Sequence, residues 1–89
     1  MIRVSFTQNI QRHVACPPSE VAGASVREVL GAVFETNERA RGYVLDEREA
    51  LRKPMNVSIN GEQIRDRVGL SDPVPDGAEV YVFQALSGG

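Results

Sequence analysis

Two glycines stand at residues 88 and 89, directly after an alternating apolar run, in "EVYVFQALSGG". Glycine loses more conformational freedom on ordering than any other residue, so a pair of them beside a strand adds nothing to packing. Either Gly88 and Gly89 are an idle frayed end, as termini commonly are, or the end itself is the working part. Residue types that usually carry catalysis are scarce elsewhere. The chain has one cysteine and one histidine. Cys16 lies among prolines in "HVACPP" with only His13 nearby to activate it, so it reads as a structural or incidental thiol. His13 alone reads as a surface strand residue. A zinc site needs more ligands than this pair supplies, and no Ser-His-Asp or paired-carboxylate spacing is present. No cofactor-binding or metal-binding residue is expected.

The aromatic residues before the glycines offer a different chemistry, that of docking. In Glu79 to Ala85, Val80 and Val82 fall on one face of a strand, and Tyr81 and Phe83 on the other. With the valines turned to a core, the aromatic pair lies on the open side of the sheet, just upstream of the tail. An exposed apolar patch there is a surface for a partner. The competing reading is that the segment crossing the sheet covers the pair, through Leu45 or Leu51, as part of the core.

The elements that must position these groups follow from periodicity. "IRVSF" alternates Ile2, Val4 and Phe6 against Arg3 and Ser5, a half-buried strand. Ile10 to Cys16 reads as a second, less regular strand, with "TQN" the turn between and "PPSEVAG" closing the hairpin. "SVRE" is a capping box in which Ser25 and Glu28 exchange side-chain bonds with each other's amides. Val26, Val29, Leu30, Val33 and Phe34 then make one apolar stripe of a helix, fading near Asn37 to Arg41 with Gly42 as a stop. Residues 43–55 read as a short strand plus a helical turn or as an irregular crossing, ended by Pro54. "NVSINGEQI" is a hairpin about Asn60-Gly61, a type I′ turn, with Ile64 on the return. "GLSDPVPDGAE" is turn-rich, and Asp76-Gly77 sets up the last strand.

A strand apolar on both sides suits the centre of a sheet. The expected fold is therefore α+β: a mixed sheet, its last strand central and parallel to the first, with one main helix packed on one face. This is the β-grasp, or ubiquitin-like, architecture, as a domain over residues 1–85 with an extended Gly-Gly tail at 86–89.

Composition bounds the function. Eighty-nine residues, 42% hydrophobic and 25% charged, make one ordinary globular domain. Nearly every apolar side chain is needed to close its core, which leans away from a self-contained enzyme with a deep pocket. A net charge of −2 argues against nucleic-acid binding. The cluster of Arg39, Arg41, Arg48, Arg52 and Lys53 is interleaved with Glu38, Asp46, Glu47 and Glu49 and reads as a mixed solvated surface. No apolar run reaches membrane-spanning length and no signal peptide opens the chain. With a single cysteine, a reducing cytoplasm is the expected compartment. A β-grasp ferredoxin is excluded, since its cluster needs four thiolates.

The β-grasp order with "NVSINGEQIR", then "GL", then "PDGAEVYVFQALSGG" resembles the small ubiquitin-like sulfur carriers. These are the family of the molybdopterin-synthase small subunit, the thiamine sulfur carrier and the carrier of an alternative cysteine-biosynthesis route. The resemblance covers essentially the whole chain and is sharpest from residue 56. Many members carry prolines before the end where this chain has "QALSGG", which leaves this tail less stiff. The long crossing from Tyr43 to Met55 and the "GL…DG" spacing are closer to the cysteine-type or a secondary-metabolite branch than to the molybdopterin one.

The resemblance implies a mechanism. The Gly89 carboxylate, ionised at neutral pH and a poor electrophile, would be joined to AMP by a ubiquitin-activating-type adenylyltransferase using ATP. A sulfur donor, a sulfurtransferase or cysteine desulfurase, would then convert it to a thiocarboxylate, and an acceptor synthase would take the sulfur. Leu86, Ser87, Gly88 and Gly89 would lie extended in a partner's channel, each adding at most ~3.3–3.6 Å of reach. Glycines without Cβ would pass where other residues collide. Tyr81, Phe83, Ala85, Leu86 and Ser87 are the expected partner-binding residues. The chain would be a protein cosubstrate, not an enzyme. It would bind no cofactor, and ATP would belong to the activating partner. Two other readings stand beside it: a modifier joined through Gly89 to lysines, and a ubiquitin-like interaction domain with an inert tail.

Overall fold

The computed structural model describes residues 1–85. Strand β1 (Ile2–Phe6) buries Ile2, Val4 and Phe6, as its alternation predicts. The second predicted strand is a correction. Thr7 instead caps a single helical turn, α1 (Gln8–Gln11), its hydroxyl accepting from the Ile10 amide at 3.4 Å. A threonine oxygen offered to the backbone two or three residues on competes with strand pairing, and here it wins. Ile10 and Val14 are buried all the same. The strand that pairs with β1 comes later, as β2 (Ser19–Val21), antiparallel, with Ile2 opposite Val21 and Val4 opposite Ser19. Pro17 and Pro18 lead into it rather than closing a hairpin. β2 lies at the edge of the sheet, where a proline at the strand's start breaks no ladder.

The capping box is realised with a shift of one residue. Ser25 Oγ accepts from the Glu28 amide at 3.2 Å, while Glu28 Oε1 accepts from the Ala24 amide at 2.9 Å. Helix α2 (Val26–Phe34) buries its whole predicted stripe. It ends with that stripe, before the fading expected near Asn37 to Arg41, because Asn37 begins a new helix, α3 (Glu38–Val44), by accepting from the Ala40 amide at 3.2 Å. Gly42 stops nothing: it sits exposed inside α3, with open space where a Cβ would be. The helical layer is thus α2 with α3 beside it, rather than α2 alone.

After α3 the chain makes a tight excursion, pinned by an isolated bridge between Leu45 and Leu51. The Asp46 carboxylate holds that loop, accepting from the amides of Arg48 at 2.8 Å and Ala50 at 3.0 Å. The hairpin β3 (Met55–Ile59) and β4 (Glu62–Gln63) turns on Asn60 and Gly61, both at positive φ, 49° and 89°. A type I′ turn requires that of both its central residues. The last strand, β5 (Glu79–Gln84), occupies the centre of a five-stranded sheet of order β2-β1-β5-β3-β4. It runs parallel to β1 and antiparallel to β3. This is the β-grasp sheet expected from the order of elements. Its inner face, with Val80 and Val82 at the middle, packs with α2, α3, Leu45, Leu51 and Leu70 into one core.

Candidate functional site

The outward face of β5 is built from two large residues over small ones. Tyr81 lies opposite Ser5 of β1 and Ser58 of β3, and Phe83 lies opposite Asn56. With only serines facing it on the adjacent strands, the Tyr81 ring has no cross-strand neighbour large enough to cover it and remains 43% exposed, while Ser58 is buried. Phe83 is half-buried, and the two rings stack with centroids 5.8 Å apart at 23°. They form one wall of an open recess of about 620 Å³ that also takes in Thr7, Asn9, Gln63, Gln84 and Ala85. Leu45 and Leu51 do not cover the pair, since both are buried in the core with the inward valines. The alternation along β5 therefore separates an inner aliphatic face from an outer aromatic one.

At Gln84 the inner face turns polar. The alternation that buries Val80 and Val82 aims Gln84 at the helical side, where its Oε1 accepts from Asn9 Nδ2 of α1 at 3.0 Å and from the Tyr43 hydroxyl of α3 at 3.5 Å. His13 stacks on the Tyr43 ring, with centroids 5.5 Å apart. Asn9, Tyr43 and Gln84 were not among the expected site residues, and His13, expected as a surface strand residue, is exposed in the turn after α1 instead. A glutamine on an otherwise aliphatic inward face was the available signal, because a polar group there needs partners. Next, the Ala85 amide donates to the Pro54 carbonyl at 2.6 Å. Ala85 itself is exposed. Leu86, Ser87, Gly88 and Gly89 lie outside the described residues.

Cys16 is buried, its thiol donating to the Val14 carbonyl at 3.4 Å, and burial raises its pKa. A thiol so placed is held away from the reactive thiolate. The charged middle of the chain meets itself: Arg41 pairs with Glu49 at 3.2 Å and Arg27 Nη1 donates to the Glu49 carbonyl at 2.9 Å. Among the described residues no helix is long and apolar enough to cross a membrane.

Comparison with known proteins agrees with this geometry. Residues 14–89 match the ThiS family. A chain of the Amycolatopsis orientalis BexX/CysO complex is 28% identical, with a TM-score of 0.82 over 100% of both chains. The small archaeal modifier protein 1 of Methanosarcina acetivorans is 22% identical, with a TM-score of 0.79 over 99% of this chain and 95% of that one. CysO of Mycobacterium tuberculosis, an antigen, is 19% identical, with a TM-score of 0.79 over 97% of this chain and 100% of that one. At these lower identities the likeness is one of fold. No curated protein matches the sequence.

Proposed function

The chain belongs to the ThiS family of ubiquitin-like sulfur carriers, and from that premise we propose that it is a protein cosubstrate whose reactive group is the main-chain carboxylate of Gly89. The carboxylate attacks the α-phosphate of ATP in a ubiquitin-activating-type enzyme, releasing pyrophosphate and leaving an acyl-adenylate. Sulfide then displaces AMP and leaves a thiocarboxylate. A persulfide donor does the same by way of an acyl disulfide, whose S–S bond a thiol reduces. The thiocarboxylate sulfur is the nucleophile delivered to an acceptor synthase. ATP is bound by the activating partner, not by this chain.

The observation that carries the reading is that the family match runs through Gly89. The exposed aromatic wall of β5 supports a protein partner on the strand that leads to that residue. So does the 28% identical relative, which is seen in a complex. Tyr81, Phe83 and Ala85 would dock the partner, and Leu86 to Gly89 would enter its channel.

The test is the intact mass of the protein isolated from its own host. An oxygen-to-sulfur exchange on the chain supports the carrier. High-mass conjugates through lysine would make it a modifier, since both fates share the same activation. An unmodified population under sulfur demand would leave only an interaction domain.

A further inference from the structure

The last described residue is held by a bond that only one side can make. Ala85 continues the β3–β5 register, in which Met55 faces Gln84 and Asn56 faces Phe83, and so stands opposite Pro54. Facing residues at such a position of an antiparallel ladder exchange two bonds. Here the Ala85 amide reaches the Pro54 carbonyl at 2.6 Å, and proline has no N–H to return. Where the Pro54 carbonyl sits therefore decides where the Ala85 amide is held beyond the end of β5.

Pro54 belongs to a reverse turn, Arg52 to Met55, exposed through Pro54 and closed by the amide of the buried Met55 on the Arg52 carbonyl at 2.9 Å. Arg67 clamps this turn from outside. Its Nη2 shares two hydrogens among the carbonyls of Arg52 at 2.9 Å, Lys53 at 3.1 Å and Met55 at 2.8 Å, which bracket Pro54 on both sides. Its Nη1 donates to Asn56 Oδ1 at 3.2 Å, and its own carbonyl accepts the Leu51 amide at 2.8 Å.

The loop carrying Arg67 is itself fixed. The Asp66 carboxylate accepts from the Ser71 hydroxyl at 2.6 Å and the Gly69 amide at 2.8 Å, and the Asp72 carboxylate accepts from the Asp66 amide at 2.8 Å. A planar guanidinium can serve several divergent carbonyls at once, which a lysine ammonium does less well.

We propose that Arg67 is a positioning residue for activation of the carboxylate: it fixes the Pro54 carbonyl and, through it, the Ala85 amide, the last described point of the chain before Gly89. This rests on the sulfur-carrier reading. The test compares wild type with R67Q and R67K by amide hydrogen exchange at Ala85, Val80 and Val82, and by steady-state adenylylation with the activating enzyme of the same host.

With these bonds lost, Ala85 exchange in R67Q rises on the order of tenfold while Val80 and Val82 hold. The kcat falls by about as much with KM within about twofold, because the aromatic wall is untouched. R67K recovers part of both, and it carries the comparison alone should R67Q fail to fold. Unchanged Ala85 exchange would overturn the proposal. So would a rise shared equally by Val82, which would make Arg67 a support of the fold alone, or a change confined to KM. If wild type is not adenylylated, the carrier reading fails, while the exchange data still decide whether Arg67 holds Ala85.

Discussion

The Tyr81 and Phe83 rings lie stacked 5.8 Å apart on the outward face of β5, one strand residue apart from the valines that close the core. Their exposure comes from what faces them, serines and an asparagine on the neighbouring strands. A partner burying this pair would take out of water an amphipathic anchor of the kind that dominates binding energy at interfaces. Replacing Tyr81 with Ala is expected to raise KM for adenylylation by about tenfold, corresponding to roughly 1.4 kcal/mol of docking energy. Thermal unfolding should change little, since Tyr81 is 43% exposed. Steady-state kinetics and a melting curve on the same preparation check both halves.

The capping serine gives the opposite pattern. Ser25→Ala removes the acceptor of the Glu28 amide at the start of the one long helix over the sheet. The expected loss is about 1 kcal/mol of stability, which lowers Tm by roughly 4–8 °C in a domain of this size. Activation kinetics at a temperature where the domain stays folded should match wild type.

How much of this was legible in the residues depends on the range of the contact that decides each element. Alternation in Ile2–Phe6, the Ser25 box and the Asn60-Gly61 turn are local signals, and each became the element expected. The segment from Thr7 to Val21 misled because Ile10, Val14 and Cys16 are buried from a helical turn and a loop, not from a strand. Apolar spacing alone does not distinguish those backgrounds. Asn37 was a cap hidden in a fading helix pattern, and it needed its own Oδ1 bond to Ala40 to be recognised. At the site, the outer placement of Tyr81 and Phe83 followed from alternation once β5 was central. The Gln84 partners Asn9 and Tyr43, and the span from Arg67 to Pro54, join residues far apart in the chain, and no sequence period announces them.

Acid should loosen the loop that carries Arg67. The Asp66 carboxyl is held down to about 2, from an ordinary 3.8, chiefly by the Ser71 hydroxyl and then by the amides of Gly69, Ser71 and Val68. The folded pKa lies below the unfolded one, so the stabilisation is complete above pH 3.8 and is lost as pH falls towards 2. Asp72 is lowered too, first by the Asp66 amide and then by that of Arg65, so its contribution is likewise lost as acid protonates it. Asp66→Asn is expected to lower the urea midpoint at pH 7, and the gap from wild type should shrink steadily through that acid range. A gap that stayed constant with pH would mean the carboxylate's charge plays no part.

The polar cluster at the end of β5 can be separated from the aromatic wall by a double-mutant cycle on Asn9 and Gln84, whose side chains meet at 3.0 Å. An exposed neutral hydrogen bond predicts a coupling of about 0.5–1 kcal/mol in urea unfolding. Additive losses would show that the two side chains stabilise the domain independently.

Gly89 is the residue on which the proposed chemistry turns. The decisive comparison incubates wild type and a chain lacking Gly89 with the host's adenylylating enzyme, ATP and sulfide, and reads intact mass alongside hydrogen exchange of β5. The expected result is an ATP-dependent oxygen-to-sulfur gain on wild type, none on the shortened chain, and equal protection of Val80 and Val82 in both. An identical mass change in the two chains, or none in wild type with an enzyme active on its own substrate, would contradict the claim that this carboxylate carries the chemistry.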